Sequence, residues 1–387
     1  MTFKTLFPRA MELAYLDSAA EGLPAPGCAE AFVQYCRDKE QGTPGRRFFH
    51  QAEAEVLELV AQLLRTEKEN VACVASASDA LTILATSLSW NPGDEVIVSN
   101  IEFPSNLIPW FALEARGVRV IVVPAENGAL TWEKVATYIS PRTRLVSLSL
   151  VSYKTGAYLT GVPALSAEVK RVGAYLCIDA TQALGRCPVS LEGVDYLMAS
   201  SFKWLMGPHG LGIVYLSAEL REHLRPASLG WYSVVNPFAP DPSRGYFLKH
   251  GAACLPAGMP NFPSLYALRD SLRFLMRLKV EEIFEQLRPL VERLRSGCEY
   301  LGCDMLTPAD PGKASGIVAF RHPESEAIGA ALQREGVIVW GGDGRVRASV
   351  HLYNDLEDVE RCLTALASTL NGSKSASFPV GQAGGTA

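Results

Sequence analysis

The chain has 387 residues, of which 48% are hydrophobic and 20% are charged, and its formal net charge is -5 at pH 7. This length fits one large domain plus a smaller one, and the negative charge argues against the basic surface that non-specific nucleic-acid binding requires. The sequence shows no run of about 18 apolar residues and no secretory signal, so we expect a cytoplasmic protein with no membrane partner.

Metal sites and disulfides are not indicated. The nine cysteines form no CxxC pair, and the six histidines form neither an HExxH sequence nor a cluster with cysteines. Structural metal sites and disulfide frameworks need such paired spacings. We therefore expect no metal ion, and reduced thiols within the core.

The N-terminal part is predicted to contain a loop and two helices. Residues 14–27 are an extended segment that runs into a Pro/Gly loop, and a helix is predicted from about residue 29 to 40. Arg46 and Arg47 precede the second helix and could bind an anionic ligand, although a solvated basic pair is an equally good interpretation. The apolar residues of that helix fall on one face, namely Val56, Leu59, Val60, Leu63 and Leu64.

A strand predicted at Val71–Ala75 leads directly into an apolar helix. Its first positions, Ser76, Ala77 and Ser78, are small. A helix N-terminus left uncovered by small residues binds anions, because its free N–H groups and the positive end of the helix dipole point the same way. Serine caps are common, so this feature alone is weak evidence.

Further β-branched, apolar runs follow, with predicted helices at residues 131–139 and 163–172 between them. The runs are DEVIVSN, VRVIVVP, RTRLVSLSLVS and AYLCIDA. Phe103, after the first run, opens a helix predicted to reach about Ala115. Strands that alternate with helices and are apolar on both faces indicate a parallel sheet covered on both sides. Ligands bind such sheets beyond the carboxyl ends of the strands.

Asp179 ends one of these runs, and Lys203 follows the next predicted strand, Tyr196–Ser200. Adjacent strand ends lie only about 5 Å apart, so both side chains can reach one ligand. A lysine between apolar residues and a glycine-rich turn is partly desolvated, which lowers its pKa and gives a free amine able to form a Schiff base. The alternative is an ordinary surface lysine, and the neighbouring residues decide between the two interpretations.

Pyridoxal phosphate satisfies these groups together. Its aldehyde would take Lys203, its phosphate the helix start at residues 76–78, and its protonated pyridine nitrogen the carboxylate of Asp179. Phe103 could stack on the ring, and Ser200 could add a hydroxyl to the phosphate. A dinucleotide enzyme is disfavoured because the glycines of GPHGLG precede a strand instead of opening a helix.

The last third of the chain is predicted to start with a long helix, about Ser264–Leu301, that Pro289 kinks or splits. The segments SGIVAFRH, Glu335–Trp340 and RVRASV are predicted strands, and a final helix covers about Leu356–Leu370. Residues 371–387 are small and polar and are predicted to be disordered.

Several segments together resemble the class V aminotransferase family of fold type I pyridoxal phosphate enzymes. DATQALG and SSFKWLMGPHGLG carry the resemblance, and AYLDSAA, SASDAL, EFPSN, SYKTGAYL, PAGMPNFPSLYALRDSLRFL and RVRASVHLYNDLEDVERCL agree with it in order and spacing. The resemblance implies an α/β fold whose large domain holds a mixed, mostly parallel seven-stranded sheet flanked by helices, with a smaller α+β C-terminal domain. We expect the N-terminal segment at 1–28, the large domain at 29–255 and the small domain at 256–370. A homodimer acting on an amino-acid substrate is also implied.

By this resemblance Lys203 forms the Schiff base, Asp179 pairs with the pyridinium nitrogen, and Arg347 binds the substrate carboxylate through a planar guanidinium. Trp231 is expected to line the entrance, and Arg46 is a further candidate for substrate contact. The other implied cofactor contacts are Ala77, Ser78, Phe103, Ser152, Ser200 and Gln182, the last as a donor to the ring hydroxyl.

Departures from the family pattern bear on the reaction. Cysteine desulfurases carry a nucleophilic cysteine shortly before the RAS sequence, but REGVIVWGGDGRVRAS contains none. Phe202 replaces a histidine, so Lys203 must move protons itself, and Met259 stands where a phosphate-binding threonine is expected. We expect the amino-acid substrate to displace Lys203 and form an external aldimine. The protein is predicted to be a C–S or C–C lyase that acts on a β-substituted amino acid. An aminotransferase or epimerase is the alternative, and a catalytically silent binding protein is a remote one.

Overall fold

The described residues, 3–238, 241 and 245–375 of a computed structural model, form helices and strands that alternate along most of the chain. The helices are α1 (Pro8–Glu12), α2 (Cys28–Glu40), α3 (Arg46–Leu64), α4 (Ala77–Ser87), α5 (Ile108–Phe111), α6 (Trp132–Ala136), α7 (Val162–Arg171), α8 (Ala218–His223), α9 (Phe262–Leu278), α10 (Val280–Tyr300), α11 (Ser325–Arg334) and α12 (Leu356–Ser375). The strands are β1 (Ala14–Tyr15), β2 (Val71–Val74), β3 (Glu95–Ser99), β4 (Arg119–Val123), β5 (Thr143–Ser149), β6 (Tyr175–Asp179), β7 (Tyr196–Ser200), β8 (Gly212–Leu216), β9 (Val234–Val235), β10 (Phe247–Leu248), β11 (Asp304–Met305), β12 (Ile317–Arg321), β13 (Val337–Ile338), β14 (Trp340–Gly342) and β15 (Arg345–Ser349).

A seven-stranded sheet with the order β2-β8-β7-β6-β5-β3-β4 lies at the centre. Strands β3 to β7 pair in parallel, whereas β8 runs antiparallel to both β2 and β7. The antiparallel step arises because the chain returns from β7 to β8 through a loop, without a crossover helix. The mixed, mostly parallel seven-stranded sheet that the family resemblance implies is therefore confirmed.

Both faces of this sheet are buried, as its continuous apolar strands indicate. On β3, Ile97 belongs to one cluster of buried side chains, whereas Val96 and Val98 belong to another. On β6, Leu176 and Cys177 divide between the same two clusters. Neighbouring residues point to opposite faces of a strand, so the two clusters lie on either side of the sheet and fix its register.

A second sheet carries the C-terminal strands in the antiparallel order β11-β12-β15-β14. The beginning of the chain ties this sheet to the central one. Strand β1 pairs with β13, and Asp17 forms a bridge with Ser349 at the end of β15. A little farther on, the Gly22 N–H donates to the carbonyl of Phe202 (2.9 Å). A Cβ on Gly22 would lie 1.9 Å from the Lys203 carbonyl oxygen, so this close approach requires glycine.

The long C-terminal helix breaks at a different residue from the one predicted. Lys279, with a left-handed φ of 56°, separates α9 from α10, and Pro289 lies inside the continuous helix α10. Pro289 is exposed, so the carbonyl that it leaves without an N–H partner can be hydrated, and the helix continues past it.

Other boundaries also differ from the predictions. The helix predicted from Phe103 to about Ala115 is only the short α5 between two 3-10 turns. The strand predicted at Glu335–Trp340 divides into β13 and β14, which belong to different sheets. Helix α12 continues past its predicted end to Ser375, and the rest of the predicted disordered tail, 376–387, lies outside the described residues.

The nine cysteines are unbonded in this structure, and the prediction that they lie in the core is wrong for two of them. Cys36 is exposed on α2 and Cys303 is half-buried, while the other seven are buried. Within the described part of the chain, none of the helices combines the length and apolar character that crossing a membrane would demand.

Candidate active site

Lys203 is the buried centre of the loop that joins β7 to β8. Only 8% of the Lys203 surface is exposed to solvent. Burial, assisted by the nearby positive charge of Arg347, lowers the pKa of the Lys203 amine from 10.5 to about 8, whereas Asp179 acts in the opposite direction. A lysine with this pKa has an appreciable fraction of nucleophilic free amine near neutral pH.

Asp179 lies at the carboxyl end of β6, beside the strand that leads to Lys203. It is buried, and its Oδ1 accepts a hydrogen bond from the backbone N–H of Thr181 (2.8 Å). Burial raises the pKa of the Asp179 carboxyl, and the hydrogen bonds from Thr181, followed by the charge of Lys203, partly offset this. The fold therefore brings the predicted amine and carboxylate into electrostatic contact, although 24 residues separate them in sequence.

Aromatic rings border the amine. The Lys203 Nζ lies 5.3 Å from the centroid of the Phe103 ring and 5.7 Å from that of Phe202. Phe103 is 41% exposed, so part of its ring remains open to a ligand. The rings of Tyr153 and Phe103 pack nearly perpendicular to each other, with their centroids 5.1 Å apart.

The start of α4 lies at the same end of the central sheet. Gly212 of β8 pairs with Ser200 on one side and Val74 on the other, which places the predicted phosphate-binding residues beside the Lys203 loop. Ala77 is buried, and the hydroxyl of Ser78 hydrogen-bonds to Ser105 (2.6 Å). Ser200 is also buried, and its backbone N–H donates to the Thr181 hydroxyl (3.2 Å).

Arg347 reaches the site from β15 of the second sheet. It is 3% exposed, and its Nη1 and Nη2 donate to the Tyr153 carbonyl (3.1 Å) and to Asp17 Oδ1 (3.3 Å). Its buried Nε has no hydrogen-bond partner in the described part of the chain. Burial lowers the pKa of Arg347 and raises that of Asp17 to about 6. Arg347 therefore retains a donor that a substrate carboxylate would satisfy.

Asp17 was not singled out in the sequence, although the AYLDSAA segment that contains it was. Its role depends on a contact across 330 residues, which no local pattern reveals. A second feature missed from sequence is His209, which stacks on Phe202 (4.1 Å) and pairs with Glu21 (3.0 Å). An imidazole is thus present near Phe202, the position at which the resemblance predicts a histidine.

Gln182 is held by two hydrogen bonds to the protein. Its Nε2 donates to the Ala19 carbonyl (2.8 Å), and its Oε1 accepts from the Trp204 indole (2.7 Å). The carbonyl of Trp204 in turn contacts His351 Nε2 (3.0 Å). This chain of contacts fixes the backbone next to Lys203, and one hydrogen of the Gln182 amide remains for the predicted cofactor contact.

Within the residues that the structure describes, the remaining predicted site residues form no polar or ring contact with the three central side chains of the site. Ser152 is buried and donates to the Ile101 carbonyl (3.4 Å). Trp231 is 45% exposed and packs against Tyr232, and Arg46 is exposed at the start of α3. In the described chain, no hydrogen bond, ion pair or ring contact joins these three side chains to Lys203, Asp179 or Arg347. Met259, where the resemblance predicts a threonine, is 41% exposed.

The lowered pKa of Lys203 predicts a distinctive pH dependence in cofactor-free protein. We expect acetylation of Lys203, followed by mass spectrometry, to rise with a midpoint near pH 8, and to shift toward 10.5 in denaturant. Because the unfolded chain binds this proton more tightly, the same group makes the free energy of unfolding increase from about pH 8 to 10.5. A native midpoint near 10.5 would show that the amine is solvated.

Comparisons with known proteins agree with this geometry. A family model described as aminotransferase class V matches residues 14–362. An uncharacterized aminotransferase, YcbU of Bacillus subtilis, is 27% identical, over 94% of this chain and 96% of that protein. A probable cysteine desulfurase of Methanothermobacter thermautotrophicus is also 27% identical, over 91% of this chain and 94% of that protein.

Two solved structures have the same fold. One is the apo structure of a cysteine desulfurase from Thermococcus onnurineus, with a TM-score of 0.88 and 24% identity, covering 96% of this chain and 99% of that chain. The other is the cystine C-S lyase C-DES in complex with cysteine persulfide, with a TM-score of 0.86 and 22% identity, covering 93% of this chain and 99% of that chain. Similarity over nearly the whole of each chain means that the described fold is shared throughout.

Proposed function

Because this chain belongs to the class V aminotransferase family and is a pyridoxal phosphate-dependent enzyme, we propose that it cleaves the C–S bond of a β-substituted amino acid by elimination. The observation that carries the proposal is the buried amine of Lys203 next to Asp179, together with the lack of a cysteine in the sequence of residues 335–347, before Arg347. The relatives named as a cysteine desulfurase and a C-S lyase support C–S over C–C cleavage.

The residues present fit the cofactor. Asp179 is buried, yet among the described residues no cationic side chain forms an ion pair within 4.0 Å of it. A buried carboxylate of this kind is stabilised by a bound cation, and a protonated pyridine nitrogen provides one. Lys203 would attach the aldehyde, Phe103 would cover the ring, and the start of α4 with Ser200 would hold the phosphate. Ser152 and Gln182 would complete the contacts.

When bound, pyridoxal phosphate supplies an electron sink that stabilises negative charge at the substrate α-carbon. Arg347 would hold the α-carboxylate and so orient the α-hydrogen toward Lys203. A Lys203 amine with a pKa of about 8 can accept that proton at Nζ and later release it. Asp179 would keep its carboxylate charged against the ring nitrogen. The net reaction releases the β-substituent as a thiolate that retains the C–S bonding electrons, and water converts the remainder to pyruvate and ammonium.

The segment before Arg347 determines where the sulfur goes. Strands β14 and β15 are joined by a tight turn at Asp343 and Gly344, and residues 335–347 contain no cysteine. A protein persulfide therefore cannot form from this segment, and the leaving thiol or sulfide would pass directly to solvent.

Product analysis tests the proposal. We expect the holoenzyme, given L-cystine or S-alkyl-L-cysteines without a keto acid, to release pyruvate and ammonium in equal amounts together with the thiol or persulfide. Alanine accompanied by a protein persulfide would contradict elimination. A strict requirement for a keto-acid acceptor would favour aminotransfer, the alternative suggested by the Bacillus relative.

Arg347 provides a more specific prediction. Arg347→Gln is expected to lower kcat/KM for amino acids by about 10- to 100-fold, mainly through KM, because a charge-assisted contact to the substrate carboxylate is lost. Arg347→Lys should recover only part of the loss, since an ammonium lacks the planar fork. Steady-state kinetics with both variants measures this. Equal kcat/KM in Arg347→Gln and the unmodified enzyme would rule out the assignment.

We also propose that the protein is a cytoplasmic homodimer. In each subunit, residues 29–255 would form the large domain and residues 256–370 the small domain. Residues 1–28 would join the small domain. Pairing of β1 with β13 supports the last point. Apolar side chains exposed around β9 and β10 support dimerisation, namely Trp231, Val235, Phe238, Phe247 and Leu248. Sedimentation velocity tests the dimer. Trp231 and Arg46 are proposed to line the entrance to the active site.

A further inference from the structure

A cleft with a volume of about 650 Å³ lies beside the active site, between the loop after β5 and the turn that joins β14 to β15. Its charged lining residues are Lys154, Arg321, Arg345 and Asp343. Cations thus outnumber anions, and such a cleft attracts an anionic group. Arg321 is largely exposed and already pairs with Asp304 at its rim (3.2 Å), so the buried Arg345 is the informative residue.

Tyr153 separates this cleft from the reactive amine. On the site side, its ring packs against Phe103, which lies 5.3 Å from Lys203 Nζ, and its carbonyl accepts from Arg347 (3.1 Å). Tyr153 also lines the cleft, where the Arg345 guanidinium lies 5.0 Å from its ring centroid. A ligand extending from the amine past Phe103 and Tyr153 would therefore reach Arg345.

Arg345 is an incompletely paired buried cation. It lies two residues before Arg347 on β15, so both arginines project from the same face of the strand. Arg345 is 5% exposed, and its buried Nε has no hydrogen-bond partner among the described residues. Its Nη2 lies 3.4 Å from Asp343 Oδ2, but the Asp343 side chain is 66% exposed and solvent screens this pair.

We propose that this cleft binds a carboxylate at the far end of the substrate's sulfur substituent, through Arg345, while Arg347 holds the α-carboxylate. The inference rests on the proposed elimination for the identity of the reacting bond. The substrate class is an S-substituted cysteine whose substituent ends in a carboxylate. Asp343 already presents a carboxylate to the Arg345 guanidinium, and the ligand group would take its place as the exposed aspartate turns to solvent.

A matched substrate pair tests the assignment. S-(3-carboxypropyl)-L-cysteine and its neutral amide, S-(3-carbamoylpropyl)-L-cysteine, differ in charge but hardly in shape. We expect the holoenzyme to favour the acid by about tenfold or more in kcat/KM, as one charge-assisted contact allows. Arg345→Gln should bring the ratio close to one, and Arg345→Lys should retain part of it. Arg293→Gln removes a surface charge paired with Glu360 and serves as the control that keeps the ratio.

A binding measurement separates this inference from the proposed reaction. If neither substrate yields pyruvate, the elimination is wrong, and calorimetric titration of the holoenzyme with suberate and octanoate, which match the substrate in chain length, still tests the cleft. The dicarboxylate should bind about tenfold more tightly than the monocarboxylate, and Arg345→Gln should remove the difference. A kinetic ratio near one in the unmodified enzyme, a ratio that survives Arg345→Gln, or equal binding of the two acids would overturn the inference.

Discussion

Lys203→Ala is expected to abolish covalent attachment of the cofactor and to lower kcat by at least about 10²- to 10⁴-fold, since the same amine is assigned both the attachment and the proton transfer. Borohydride treatment followed by peptide mass spectrometry measures attachment: the unmodified enzyme should carry the reduced cofactor on Lys203 and the variant on no peptide. The visible absorption band of the lysine-bound cofactor should disappear with it.

The fold should survive this substitution. Burial disfavours the Lys203 ammonium, so its removal relieves an unfavourable desolvation instead of breaking a stabilising ion pair. Thermal unfolding of the cofactor-free variant should therefore occur at no lower temperature than in the unmodified protein. Lys170→Ala, on the exposed side of α7, is the matched control and should keep attachment and turnover. A reduced cofactor found on another lysine of the unmodified enzyme would refute the assignment.

Asp179→Asn is expected to give the second largest loss, about 10²- to 10³-fold in kcat, with the cofactor still attached to Lys203. The amide occupies the same space, and its oxygen can keep the hydrogen bond from the Thr181 N–H (2.8 Å). The carboxylate charge that favours a protonated pyridine nitrogen is lost, and so is much of the capacity to stabilise negative charge at the α-carbon.

Asp195→Asn provides the matched control for this prediction. Asp195 is also a buried aspartate that accepts from a backbone N–H, that of Leu176 (2.9 Å), but it lies at the other end of the sheet strands. Titration of the cofactor absorbance should show a changed pH dependence only in Asp179→Asn. An unchanged absorbance titration and undiminished kcat in that variant would exclude Asp179 as the ring partner.

Most of the central sheet could be predicted because its strands are short, apolar and separated by helices. Strand β7 was predicted at its observed bounds, and Lys203 and Asp179 followed from the ends of two neighbouring strands. The helix after Phe103 could not be predicted as well, since prolines at 104 and 109 limit it to short turns. At Pro289 a break was predicted, but helix α10 is continuous there. Proline usually interrupts a helix, but on this exposed face water can hydrate the carbonyl that loses its N–H partner.

The residues that surround Lys203 and Arg347 could not be predicted from sequence patterns, for a different reason. Asp17, Tyr153 and Arg345 matter through the side chains that they meet, and those side chains come from remote segments. Arg347 meets Tyr153 across 194 residues and Asp17 across 330. Periodicity and local spacing describe neighbours along the chain. They can therefore predict a reactive amine at Lys203, but they cannot predict the cleft lined by Arg345.

The link between β1, Asp17 and β15 has a consequence for biosynthesis. Lys203 and Asp179 can take their places once the central sheet forms, but Arg347 and the strand that pairs with β1 emerge from the ribosome much later. Contacts so distant in sequence form slowly because a long loop must close first. A nascent or truncated chain that ends before β13 would therefore expose Lys203 without Arg347, the residue proposed to bind the substrate carboxylate. Chaperone engagement or proteolysis is expected to be concentrated at that stage.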